Sequence, residues 1–293
     1  MLFSDLFRRR QEPAPSELEA ALSPLVKNEI LLEINEGRKD LPPQASKFGG
    51  MPLLPRNFQW PLFAGEEDPE PSPLDFLCQI SLADVKPYDR DGLLPERGIL
   101  SFFYSCGAFR WGFDPEDKGC ARVFYFEDTD ELVPTPWPGE IEEEYIVPEA
   151  AMSFTARPSY PSYEELEIHS PVNCEWEEYD ACVEALGVDP EAEDHKLLGY
   201  AHVIQNEMLS ECEKVSRGIY CGTGESWQNT PEDVKADVCA HAADWTLLLQ
   251  LSTLTIGDYE MMWGDCGMLY FYIKKEDLAA RRFENAWFSL QCG

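Results

Sequence analysis

The chain has 293 residues, of which 55 are acidic and 23 basic, giving a formal charge of −32. Such a surface repels phosphate backbones and anionic lipid, so nucleic acid and membrane surfaces are poor partners. Apolar residues at 44% and aromatics at 12% are enough to bury a core and exclude a disordered chain. The charge has two readings, solubility alone or complementarity to a basic protein partner. At this length one large domain or two fused lobes are both expected.

Met1 to Arg10 places Arg8, Arg9 and Arg10 after an apolar stretch, the wrong order for a secretory signal. No window reaches the roughly 18 apolar residues of a membrane span. Ser16-Glu17-Leu18-Glu19 is a capping box, and Leu18, Leu22, Leu25, Ile30 and Ile34 behind it recur at helical spacing. An N-terminal helix over about 16–38 is expected. From Leu41 the texture turns to Pro, Gly and aromatics, including Gly49-Gly50 and Trp60-Pro61, which marks extended and turning backbone.

Short β-type runs follow at Phe76–Leu82, Ile99–Tyr104, Arg122–Phe126 and Ala151–Ala156, each bounded by Gly, Pro or Asp. Glu127 to Glu149 is rich in Glu and Pro and reads as a surface connection. Helical spacing returns at Trp176–Leu186 and after Thr230-Pro231-Glu232-Asp233. The ten cysteines include no C-x-x-C pair, so they are expected as reduced thiols in a cytoplasm.

Three signals occur twice in the same order. Lys47-Phe48-Gly49-Gly50, Leu77-Cys78-Gln79-Ile80-Ser81 and Gly98-Ile99-Leu100-Ser101-Phe102-Phe103-Tyr104 are answered by Lys196-Leu197-Leu198-Gly199, Leu249-Gln250-Leu251-Ser252 and Gly267-Met268-Leu269-Tyr270-Phe271-Tyr272-Ile273. The expected fold is therefore α+β. Two similar β-rich lobes from an internal duplication, about 41–160 and about 190–293, pack with the N-terminal helix as one body.

These signals, with Leu74-Asp75-Phe76-Leu77-Cys78-Gln79-Ile80 and Trp263-Gly264-Asp265-Cys266-Gly267-Met268-Leu269, resemble the YwqG-like family of bacterial proteins of unknown function over about residues 40–293. The resemblance implies one α+β fold with an internal duplication in a bacterial cytoplasm, and no activity. This chain reads Gly199-Tyr200-Ala201-His202 where family members often carry a Pro.

Asp265, set between glycines before a strand, either caps its own turn with Trp263 packed beneath it or offers a carboxylate to a substrate amine, a metal or a partner's Arg. Gln79 and Gln250 occupy matching positions in apolar strands, so each amide either pairs with backbone or contributes to a ligand site. The four histidines show no zinc spacing, Gly218 to Trp227 lacks the Lys of a phosphate loop, and no nucleophile elbow occurs, so neither metal nor cofactor is expected. The leading functional expectation is a cytoplasmic acidic binding protein for a protein partner such as a basic effector or toxin. The alternatives are a hydrolase or transferase using Asp265 at the lobe junction and a small-molecule sensor. Oligomeric state is left open.

Overall fold

The computed structural model describes residues 16–35, 37–38, 40–66 and 69–293; Met1 to Arg10 lies outside them. Ten strands form the main sheet: β1 (Lys27–Asn35), β2 (Lys47–Phe48), β3 (Asp75–Ser81), β4 (Ile99–Tyr104), β5 (Ala121–Phe126), β6 (Ala150–Ser159), β7 (Lys196–Leu198), β8 (Trp245–Leu251), β9 (Met268–Lys274) and β10 (Trp287–Gln291). Their order across the sheet is β10-β9-β8-β7-β1-β6-β2-β3-β4-β5, and every neighbouring pair is antiparallel. The strands expected at 76–82, 99–104, 122–126 and 151–156 are all present, as is a helix at Trp176–Ala185.

The helix expected over 16–38 is corrected to Glu17–Leu22, a 3₁₀ turn at Ser23–Leu25, and strand β1. The capping box forms as expected, with Glu19 N donating to Ser16 Oγ at 3.0 Å and Ser16 N to Glu19 Oε2 at 3.4 Å. Leu18 and Leu22 pack with Leu166, Tyr179 and Val183. Pro24 then breaks the helical ladder. Beyond it Ile30, Leu32 and Ile34 also fit a period of two, and Ile30 and Leu32 enter the main core. β1 pairs along its full length with β6 and over Glu29–Leu31 with β7, partners which helical spacing read in isolation does not reveal.

One apolar core draws residues from both ends of the sheet. Phe102 on β4 meets Phe271 on β9 at 5.2 Å, and Tyr104 meets Phe288 on β10 at 5.6 Å. The β4–β5 loop lies along the β10 edge, where Leu290 N donates to Trp111 O at 2.9 Å and Trp287 Nε1 to Gly112 O at 2.8 Å. The sheet thus curls into a near-barrel, and the loop covers an edge that is otherwise a template for aggregation.

At the middle of the sheet, Glu29 on β1 is 1% exposed. It stands opposite Arg157 on β6, whose Nε donates to Glu29 Oε1. Lys196 on β7 donates to Glu29 Oε2 at 3.0 Å. Burial alone raises the Glu29 carboxyl, but the Lys196 and Arg157 charges outweigh it and hold the carboxyl below its ordinary value. Removing this buried carboxylate leaves the buried Lys196 without an ion-pair partner and Arg157 with Asp194 alone. Glu29→Ala is expected to cost about 3–5 kcal/mol, measured by urea unfolding.

Candidate functional site

A cleft of about 620 Å³ opens over this charge cluster. Glu29, Arg157 and Lys196 form its floor. Its walls are the 160–164 segment, the helix Trp176–Ala185, and the loops 188–193 and 200–204, with Cys266 and Gly293 also on its lining. Three buried polar side chains hold the 200–205 wall in place. Ser159 Oγ accepts from Tyr200 N at 3.0 Å, Gln250 Oε1 from His202 N at 2.8 Å, and Gln291 Oε1 from Ile204 N and Gln205 N at 3.1 and 3.0 Å. His202 Nδ1 lies 3.1 Å from Pro190 O and ties this wall to the 188–193 loop. The wall begins at Gly199, where φ is +74° and a Cβ would stand 2.7 Å from Glu29 Cβ, so the turn needs glycine.

The cleft is electrically one-sided. Its two cations are committed to Glu29, with Arg157 Nη2 also donating to Asp194 Oδ2 at 2.6 Å. Five other carboxylates line it: Glu164, Asp180, Asp189, Glu191 and Glu193. Among the described residues no cation forms an ion pair with any of them. The Asp180 carboxyl is raised by burial and by the charges of Glu191, Glu184, Glu164 and Glu177, the direction expected when like charges crowd. Beside them stand Trp176, 56% exposed, and Tyr163, 39% exposed. Large exposed aromatics amid carboxylates suit a ligand that is both cationic and flat, such as a guanidinium.

Of the four binding candidates named from the sequence, Asp265, Trp263, Gln79 and Gln250, only Gln250 supports this cleft. Its Oε1 holds the His202 backbone, and its Nε2 donates to Asp194 O at 2.9 Å. Gln79 is equally buried and serves another loop, accepting from Leu53 N at 3.0 Å and donating to Pro43 O and Ala45 O at 2.8 Å each. Trp263 is 1% exposed, donates from Nε1 to Ser252 O at 2.9 Å, and packs on Tyr104. Asp265 is exposed, and among the described residues its carboxylate makes no hydrogen bond; its carbonyl accepts from Gly293 N at 3.1 Å. Its neighbour Cys266, not Asp265 itself, reaches the cleft lining. The Trp-Gly-Asp-Cys-Gly turn is tight because a Cβ on Gly267 would lie 2.2 Å from the carbonyls of Gln291 and Trp263.

Sequence reading missed Glu29, Arg157, Asp180 and Trp176. Glu29 lies inside the expected N-terminal helix, Trp176 and Asp180 inside the helical run at Trp176–Leu186, and Arg157 just beyond the Ala151–Ala156 strand run, and none of these patterns marks a site. Among the described residues no group of three or more His, Cys, Asp or Glu is placed to hold a metal ion. No helix among them is long and apolar enough to cross a membrane.

A second carboxyl is perturbed elsewhere. Asp75, at the start of β3, accepts from Cys106 N at 2.8 Å and lines a cavity with Ser105 and Tyr145. Burial pushes its carboxyl up to about 6 against the opposing hydrogen bond from Cys106. The folded protein therefore holds this proton more tightly than the unfolded chain, and stability falls as pH rises from about 4 through about 6. Asp75→Asn should remove that part of the pH dependence, read as the change in urea midpoint across the window.

Two substitutions separate the cleft support from the exposed turn. Gln250→Leu orphans the His202 N–H and the Asp194 carbonyl, at about 1–3 kcal/mol for each group. Asp265→Ala should change stability by less than about 0.5 kcal/mol, as for other exposed positions. Chemical unfolding of both variants checks the contrast.

No curated protein matches the chain. The family model of a domain of unknown function, DUF1963, matches residues 46–292, taking in every strand of the sheet except β1. YwqG-like proteins carry this domain. The chain, matched over most of its length by this family model, belongs to the DUF1963 family.

Proposed function

We propose that the protein is a binding protein whose acidic cleft receives a basic segment of a protein partner. The observation that carries this is the row of five carboxylates without cationic partners beside the exposed Trp176. Burial and then neighbouring carboxylates raise Asp180; a lysine or arginine entering there relieves the second of these, and a guanidinium gains a flat aromatic face. The overall charge of −32 adds long-range attraction, which raises the association rate and makes it sensitive to salt. A basic effector or toxin has the required chemistry. An acid–base enzyme centred on Asp265 draws less support, because that carboxylate is exposed and makes no hydrogen bond among the described residues.

The same proposal includes an origin by duplication and a bacterial cytoplasmic setting. Supporting the first is the matched pairing of Lys47 with Gln79 and of Lys196 with Gln250, each lysine also bonded to a glutamate: Glu149 at 2.6 Å and Glu29 at 3.0 Å. Ten free cysteines support the second.

The test is fluorescence anisotropy of a labelled hexa-arginine peptide at low salt. Saturable binding that weakens with salt is expected, with Asp180→Asn/Glu191→Gln weakening it further. Trp176→Ala should remove about 0.5–1 kcal/mol, or about two- to fivefold in affinity. Affinity unaffected by all three changes would overturn the assignment to this cleft.

A further inference from the structure

A second cavity, of about 690 Å³, has the opposite character. Leu93, Leu94 and Pro95 line it from one loop, and Leu278 and Ala279 from the end of the helix Lys275–Ala279. Lys27, Lys275 and Arg281 also line it, an unusual concentration of cations in a chain of charge −32. The cavity's two carboxylates are already engaged: Asp91 Oδ2 accepts from Asn28 N at 2.8 Å, and Glu96 from Lys86 Nζ at 2.5 Å. Arg281 pairs with Glu127 at 3.2 Å, and Lys275 donates to Ala243 O at 2.7 Å.

Lys27 is different. Its Nζ sits 3.7 Å from the centre of the Tyr200 ring, and among the described residues its ammonium donates no hydrogen bond. Behind it lies a pocket lined by Glu165, His169, Tyr200 and Tyr272 that has no room for a water molecule. Glu165, itself 1% exposed, supplies the opposing charge from that side, while His169 Nε2 is buried with no hydrogen-bond partner. Lys27 lines both this closed pocket and the larger cavity, so a ligand can reach it only from the larger one.

We propose that this cavity binds a small amphipathic carboxylate, its anionic head on the Lys27 ammonium and its apolar body along Leu93, Leu94 and Leu278. Apolar walls with a few placed charged groups are the usual composition of a small-ligand site, and of the charged groups here Lys27 is the cation that donates no hydrogen bond among the described residues. The head-group contact is charge-assisted, and the aliphatic walls favour a chain over a bare anion.

Burial lowers Lys27 to about 8, with the Glu165 and Asp91 charges opposing that shift and Lys275 adding to it; His169, also facing it, stays neutral at ordinary pH. Only the protonated amine holds a carboxylate, so binding should persist below this value and fall as pH rises through about 8.

Calorimetric titration of the full chain with sodium octanoate tests the proposal, with acetate and octan-1-ol as separate probes. Octanoate should bind saturably, one per chain, and both other probes at least about tenfold more weakly. Lys27→Met should abolish the octanoate heat while keeping the near-ultraviolet circular dichroism of the native fold. Should that variant fail to fold, Leu93→Glu alters an exposed wall residue and is expected to weaken octanoate at least about tenfold with an unchanged melting temperature. Octan-1-ol binding as tightly as octanoate, wild-type affinity in Leu93→Glu, a flat pH profile to pH about 9, or no saturable heat would each overturn it.

Discussion

Glu29 is a carboxylate at the centre of a sheet, and a charge placed there must be compensated from both sides. Arg157 does so from β6 and Lys196 from β7, so three strands far apart in sequence are tied at one point. The desolvation cost of a buried charge makes any arrangement missing one partner much worse than the native one. A slip of β1 by one residue would also turn Ile30 and Leu32 out of the core. Charge and apolar pattern therefore specify the same register. The cleft above Glu29 inherits its floor from this constraint.

The two cavities share strand β1, with Lys27 lining one and Glu29, two residues on, lining the other. Their chemistry differs because of what the rest of the chain brings to each. Around Glu29 the cations are consumed and the rim adds five carboxylates, whereas around Lys27 the carboxylates accept other hydrogen bonds and the rim adds two further cations and aliphatic surface. A cationic partner is drawn by the whole surface before it finds its cleft. An anion must approach against that field and owes its binding to short-range contacts alone.

Much of the strand content was legible because alternating apolar runs between Gly, Pro and Asp have few other solutions. The runs at Ile99–Tyr104 and Arg122–Phe126 appear almost residue for residue. The first strand was not legible, since Leu18, Leu22, Ile30 and Ile34 satisfy a helical period as well, and only distant partners decide between the two. Gln250 was visible as an amide in an apolar strand, but its role in holding the His202 wall depends on chain folded back from elsewhere. Glu29, Asp180 and Glu165 carry no local mark that separates them from the other acidic residues. Their meaning comes from burial and from neighbours.

The position of β1 also bears on the order in which the chain can assemble. This strand emerges first from the ribosome among the ten of the sheet, yet its partners begin at residues 150 and 196, and the β10 edge is covered by a loop from residues 111–112. Until more than half the chain has been made, an apolar strand bearing one buried-to-be carboxylate has neither neighbour. Loop closure over such separations is slow, and waiting strands are exposed to wrong pairings. Charges along the strand, Lys27, Glu29 and Glu33, are the kind that keep an unpaired strand from wrong pairings, and Glu29 is the one that ends buried in the finished sheet.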